Sequence, residues 1–235
     1  MTICETIKPT PASEPPPGAL LKAGVGISLR PRQRLQFGHD SEHIYIVRSG
    51  VLMLETLPHT NARQIIDLYY AGDVVRPGMA PAISGASLLA ATQAEVLRVG
   101  LGRLDAVMSA DHESQDWIDC ALARQYPRRL THLVTIGSLN GDERVATLLI
   151  EMALRVGEPG FEDARTFDLP LSRTDMADYL SLNADTLSRI MSRLRQAGVL
   201  GFAGRGRAYA PSFSALCKLS PLADAIVALA QPPKA

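Results

Sequence analysis

The apolar residues of this chain change their period once, near residue 110, and that change limits the fold to two kinds of structure in series. Before it, short apolar runs alternate with turn residues. Residues 44–47 run into Ser49-Gly50 and the apolar pattern resumes over 51–54, which reads as a hairpin. Residues 64–70 form another run, closed by Ala71-Gly72-Asp73, and a looser alternation over 88–99 ends at Gly100. Several short strands at regular spacing between Leu20 and Val107 predict a β-sandwich or jelly roll. After about Ser114 the period is helical. Ile118, Leu122, Leu133 and Ile136 lie near one stripe at heptad-like spacing. Pro127 interrupts the stripe and is expected to kink the helix or split it. A long helix with one apolar seam implies a partner helix, hence a homodimer. Packing against its own domain is the other reading of the same stripe.

Composition removes several classes. Hydrophobic residues make up 46% and charged residues 20% of 235, so a core is affordable and wholesale disorder is not expected. No apolar run reaches about 18 residues and the N-terminus lacks a signal-peptide pattern, so no membrane association and a cytoplasmic location are expected. Lys+Arg and Asp+Glu are 24 each, so a basic surface must be local rather than global. Cys4, Cys120 and Cys217 are odd in number and far apart, unlike a disulfide framework or a zinc site. Pro9, Pro11, Pro15, Pro16 and Pro17 mark residues 1–19 as a flexible or extended arm.

The second half is the more informative. Residues 141–157 read as a helix with Val145, Leu148, Leu149 and Met152 on one face, ended by Gly157, Pro159 and Gly160. Ser172 then opens a helical run with Asp175 three residues on, as a capping box requires. Met176, Ala177 and Leu180 give that helix an apolar face with a small residue at its centre. Ser181-Leu182-Asn183 is a short turn. A second helix is predicted over 184–197, stopped by Gly198, with Leu187, Ile190, Met191 and Leu194 inward at i, i+3, i+4, i+7. Thr186, Ser188, Arg189, Arg193 and Arg195 are left for its other faces. Two short helices around a three-residue turn make a helix-turn-helix, whose second helix fits the DNA major groove. Residues 199–202 and 207–210 read as two strands of a wing around residues 203–206. Arg189, Arg193, Arg195, Arg205 and Arg207 fall within 186–210, where there is no acid. An αα-hairpin with a solvated basic face is the plainer alternative.

The run LSRTDMADYLSLNADTLSRIMSRLRQAGVL, residues 171–200, resembles the CRP/FNR superfamily of bacterial transcription regulators, and GDERVATLLIEMA, residues 141–153, is similar to the helix after that family's dimerisation helix. The resemblance covers about residues 20–211. It implies an α+β chain: an N-terminal cyclic-nucleotide-binding-type β-roll over 20–112, a long dimerisation helix over 113–139, and a winged helix-turn-helix domain with a C-terminal tail over 140–235. The DTLSR pattern resembles the FNR and FixK branch, where Glu-x-x-Ser-Arg reads a TTGA-type half-site. Carried over, the base readers are Asp185, Ser188 and Arg189, with Asp185 one methylene shorter than the usual Glu. Ser172, Thr186, Arg193, Arg205 and Arg207 become candidates for the DNA backbone. Double-stranded DNA, a second copy of the chain and RNA polymerase are the implied partners.

The sensing half departs from the family's ligand-binding members. Where cAMP-binding members carry Gly-Glu after the Gly-Asp turn, this chain has Arg76-Pro77, and where they carry Arg-Ser-Ala it has Ser84-Gly85-Ala86. Three dispersed cysteines cannot assemble a four-cysteine cluster. His39, His43, His59, His112 and His132 sit in no ligand motif. Binding without cAMP or an iron–sulfur cluster is therefore expected and no cofactor is called for, with haem or an unrecognised small ligand left open. No P-loop, HExxH or GxSxG pattern suggests an enzyme.

Overall fold

The computed structural model describes residues 15–59, 62–82, 85–204 and 206–230, so Cys4, Ser84, Arg205 and most of the predicted arm lie outside the described residues. The chain divides into two compact units, and along the sequence the division falls between Tyr126 and Pro127.

The first unit is a sandwich of two antiparallel four-stranded sheets. Strands β1 (Val25–Leu29), β3 (His43–Ser49), β6 (Val74–Val75) and β8 (Ala94–Gly100) form one, in the order β1-β8-β3-β6. Strands β2 (Arg34–Gln36), β4 (Leu52–His59), β5 (Ala62–Tyr69) and β7 (Ser87–Ala90) form the other, in the order β2-β7-β4-β5. The expected hairpin across Gly50 is not there. Strand β3 pairs with β6 and β8, whereas β4 pairs with β5 and β7, so the chain changes sheets at this turn. Gly50 has φ +80°, and a Cβ there would stand 2.3 Å from the Gln93 carbonyl oxygen, so only glycine fits the crossing. The looser alternation over 88–99 likewise divides into β7 and β8, one in each sheet.

Strand β3 explains why the pattern read as a continuous apolar run. Tyr45 and Val47 point into the sandwich with Phe37, Leu54, Tyr69 and Leu88. Ile44 and Ile46 point the other way, into a second core with Leu20, Leu104, Trp117 and Ile118. A sheet buried on both faces loses its alternation. Three helices supply that second cover: α1 (Gly18–Ala23), α2 (Leu101–Ala110) and the first half of α3 (His112–Ser138). Helical structure thus replaces the predicted arm at Gly18 and the predicted strands at 101–107.

The seam assigned to the long helix needs correction at Ile118, which is fully buried in the β-unit's own core and so is not free to meet a partner, while Leu122 is partly buried against the same cluster. Gln125, also fully buried, fixes the same helix to β6: its Oε1 accepts from the Val74 N–H at 2.9 Å and its Nε2 donates to the Val74 carbonyl at 3.0 Å. Helix α3 is unbroken through Pro127. The proline coincides with the boundary between units instead of splitting the helix.

The second unit holds the C-terminal half of α3, then α4 (Gly141–Arg155), β9 (Gly157–Pro159), β10 (Arg165–Asp168), α5 (Arg173–Leu180), α6 (Ala184–Gln196), β11 (Gly201–Phe202), β12 (Arg207–Ala210), α7 (Phe213–Cys217) and α8 (Ala223–Ala230). The two wing strands are half of a four-stranded sheet, β11-β12-β10-β9. Helix α4 is its hub, with Val145, Leu148, Leu149 and Met152 buried, as the sequence pattern indicated. Asn140 caps it, with Glu143 completing a capping box.

Candidate nucleic-acid interface

Helix α5 starts at a two-way cap. The Asp175 N–H donates to Ser172 Oγ at 3.1 Å, while the Ser172 O–H donates to the Asp175 carboxylate at 2.6 Å. The Ser172 hydroxyl thus takes part in the cap both as acceptor and as donor. At the other end, Ser181 adopts φ +53°, ψ 46°, the left-handed cap that turns the chain sharply. Arg144 of α4 secures that turn by donating to the carbonyls of Leu180 at 3.1 Å and Ser181 at 3.4 Å, a cation placed on a helix C-terminus. Asn183 then caps α6, accepting from the Thr186 N–H at 2.7 Å.

Helix α6 is sharply two-sided. Leu187, Ile190, Met191 and Leu194 are buried, while Asp185, Ser188, Arg189, Ser192 and Gln196 are exposed. At about 100° per residue those five positions form one outward ridge opposite the buried row. Asp185, Ser188 and Arg189 are the three positions that the resemblance offered as base readers, and Ser192 and Gln196, which the sequence reading passed over, complete the ridge at i+7 and i+11 from Asp185. Arg189 is exposed and has no carboxylate partner among the described residues. Thr186, half-buried, and Arg193, exposed, flank the ridge.

Of the other cations, Arg193, Arg207 and Arg173 are engaged by neighbours, while Arg195 is exposed at the opposite edge of the ridge from Arg193. Arg193 Nη2 lies 2.5 Å from Asp142 Oδ1. Arg207, at the base of the wing, lies 3.6 Å from Glu158 and 4.0 Å from Asp168. These acids precede the arginine-rich stretch in sequence, so a count over 186–210 could not find them. Arg173 at the start of α5 sits 5.3 Å from the Phe202 ring centroid, a cation–π contact that ties the wing to the first helix of the motif. Arg205 lies outside the described residues.

His132 of α3 stacks on Tyr179 of α5, ring centroids 3.9 Å apart and nearly parallel. Burial pushes its pKa down from 6.5 to about 4. The unfolded chain thus takes up a proton below pH 6.5 that the folded unit refuses until about pH 4. Stability is fully present above pH 6.5 and falls as the pH drops through that window, by about 3 kcal/mol at most. Denaturant titrations between pH 7 and pH 4 should show this loss in the wild type and a shallower one in His132→Phe. Equal slopes would mean that His132 is not the group responsible.

Among the described residues, no cluster of His, Cys, Asp or Glu could hold a metal ion, and no helix is long and apolar enough to cross a membrane. Cys120 is exposed and Cys217 buried. In the β-unit, Arg76 leads into the short 3-10 turn Pro77–Met79, whose Pro77 is buried.

An α+β chain with a double-sheet β-roll, a long helix and a capped, two-sided helix-turn-helix beside a wing defines a class of transcription regulators. The model of the Crp-like helix-turn-helix domain matches residues 143–219. A probable transcriptional activator of Rhizobium leguminosarum bv. viciae is 32% identical over 164 residues, 69% of this chain and 67% of the relative. An anaerobic regulatory protein of Aggregatibacter actinomycetemcomitans is 25% identical over 169 residues, 72% of this chain and 65% of the relative. The structure of FixK2 from Bradyrhizobium japonicum superposes with a TM-score of 0.72 at 28% identity, covering 84% of this chain and 97% of that one. The chain belongs to the CRP/FNR family of transcription regulators and carries its DNA-binding helix-turn-helix. It spans about two thirds of the length of these two curated relatives.

Proposed function

We propose that the protein is a homodimeric, sequence-specific regulator that reads a palindromic, TTGA-like site in cytoplasmic DNA without cAMP or an iron–sulfur cluster. The observation that carries this reading is the outward ridge of α6, with Arg189, which has no carboxylate partner among the described residues, on it and the wing beside it. Asp185, Ser188 and Arg189 take the base edges. Arg189 pairs bidentately with guanine O6 and N7, the geometry a guanidinium suits best. Thr186, Arg205 and Arg207 border the flanking phosphates, which position the protein without specifying sequence, while Arg193 beside them is held by Asp142. Helix 113–139 joins two copies through its exposed C-terminal half, and RNA polymerase is the downstream partner. The β-roll serves as a scaffold, and abundance of the protein sets its occupancy of DNA.

Selection from a randomised duplex pool tests this directly. A twofold-related site is expected, with half-site centres about one helical turn, roughly 34 Å, apart. Added cAMP should leave the affinity for that site unchanged. Recovery of no palindrome would end the regulator reading, and a cAMP-dependent affinity would end the effector-independent one.

A further inference from the structure

Asp142 stands out because the capping box of its own helix does not use it. The capping box of α4 is made by Asn140 and Glu143: the Glu143 N–H donates to Asn140 Oδ1 at 3.1 Å and the Asn140 N–H donates to Glu143 Oε2 at 2.9 Å. Asp142, between them, turns its carboxylate to Arg193 of α6 at 2.5 Å, and both side chains are 58% exposed. The approach is fixed by the Ile190 and Leu182 side chains packed on Gly141. A Cβ added at Gly141 would stand 3.2 Å from Ile190 Cδ1 and 3.6 Å from Leu182 Cδ2, so the start of α4 abuts the helix-turn-helix directly. A guanidinium binds carboxylate and phosphate with the same planar fork, so one excludes the other. A neutral pair also releases no counterion when a phosphate approaches.

We propose that Asp142 is an affinity-setting residue of the DNA surface: it occupies Arg193 as an internal counter-anion and withholds one phosphate contact per subunit. The inference rests on the DNA-binding reading of α6 and adds to it a reason why the basic edge of that helix is weaker than its arginine count. Such a brake lowers binding to every sequence alike, because phosphate contacts carry no base information.

The test is a double-mutant cycle on the full chain, with binding to a random-sequence duplex measured across a salt series. Asp142→Asn should steepen the slope of log K against log salt by about 0.9 per subunit, equivalent to about an eightfold gain per subunit at 0.1 M salt. Arg193→Ala alone should change affinity less than twofold. Asp142→Asn combined with Arg193→Ala should return to the level of Arg193→Ala, and Asp142→Glu, which keeps the carboxylate, should stay near wild type. A gain that persists without Arg193 would assign the effect to bulk charge and overturn the pairing. So would a large loss in Arg193→Ala alone, which means that the arginine already reaches a phosphate. A wild-type protein that binds no DNA at any salt would instead overturn the DNA-binding reading itself.

Discussion

Arg189→Ala is expected to cost about 1–3 kcal/mol at the guanine of each half-site and to level the preference among the four bases there. Three features of the molecule converge on this side chain. It lies on the exposed ridge of α6 directly opposite the buried row of Leu187, Ile190, Met191 and Leu194. Among the described residues it has no carboxylate partner, in contrast to Arg193 and Arg207, so docking displaces no internal ion pair. The helix that carries it is fixed at its start by the Asn183 cap and held from behind by the Arg144 bonds to the end of α5. A base-reading side chain needs this rigidity, because a bidentate bond tolerates little error in position. The measurement is affinity for a set of duplexes with each base in turn at the guanine position. A wild type that discriminates and a variant that does not is the expected pair of results. Equal losses on all four duplexes would make Arg189 a phosphate contact. Arg205→Ala supplies the contrasting pattern, a uniform loss with the salt slope reduced by about one unit.

The helix-turn-helix was legible because every local signal in it agrees. The Ser172–Asp175 box, the small Ala177, the turn 181–183 and the i, i+3, i+4, i+7 row of α6 each appear in the structure where their chemistry requires. The β-unit was legible only as a kind of structure. Period-2 patterning states that a segment is a strand but not which sheet it joins, and the β3–β4 crossing at Gly50 looks like a hairpin until pairing is known. Strands β9 and β10 escaped notice because three or four residues are too few to show a period, and Gly157 and Pro159 read as helix breakers. The partners of Arg193 and Arg207 escaped for a different reason. Asp142 lies 51 residues from Arg193 in the chain, and an ion pair across that separation has no local signature.

Helix α3 shows the same limit most sharply, since one apolar stripe served two purposes. The sheet β1-β8-β3-β6 has an apolar face turned away from the sandwich, and covering it consumes Ile118, Trp117 and Ala121. The apolar residues that remain exposed on the C-terminal half are Leu130 (44%), Leu133 (59%) and Val134 (46%). Ile136 is only half-exposed. On an ideal helix Leu130 and Val134 lie a third of a turn or more from Ile136, so the free stripe is rotated from the one the heptad spacing suggested. Leu133 belongs to both.

Leu133→Glu is therefore expected to abolish the dimer and leave the monomer folded. Scattered exposed leucines are ordinary, but three large apolar side chains within two turns form a patch that water covers only at a cost. In a twofold pairing of α3 the new carboxylate meets its own copy, so both charges must be desolvated against each other. The cost is several kcal/mol, which raises the dissociation constant by at least about a hundredfold. In the separate chain the same carboxylate stands in water, because the leucine it replaces is already more than half exposed, and folding is spared. Light scattering should give half the wild-type mass with an unchanged circular-dichroism spectrum. Operator affinity should fall with it, since a lone α6 reads one half-site and forfeits the second. A variant that stays dimeric would move the interface off the C-terminal half of α3. A variant that unfolds would place Leu133 in a core, and Leu130→Glu, at the neighbouring exposed position, would then carry the same test.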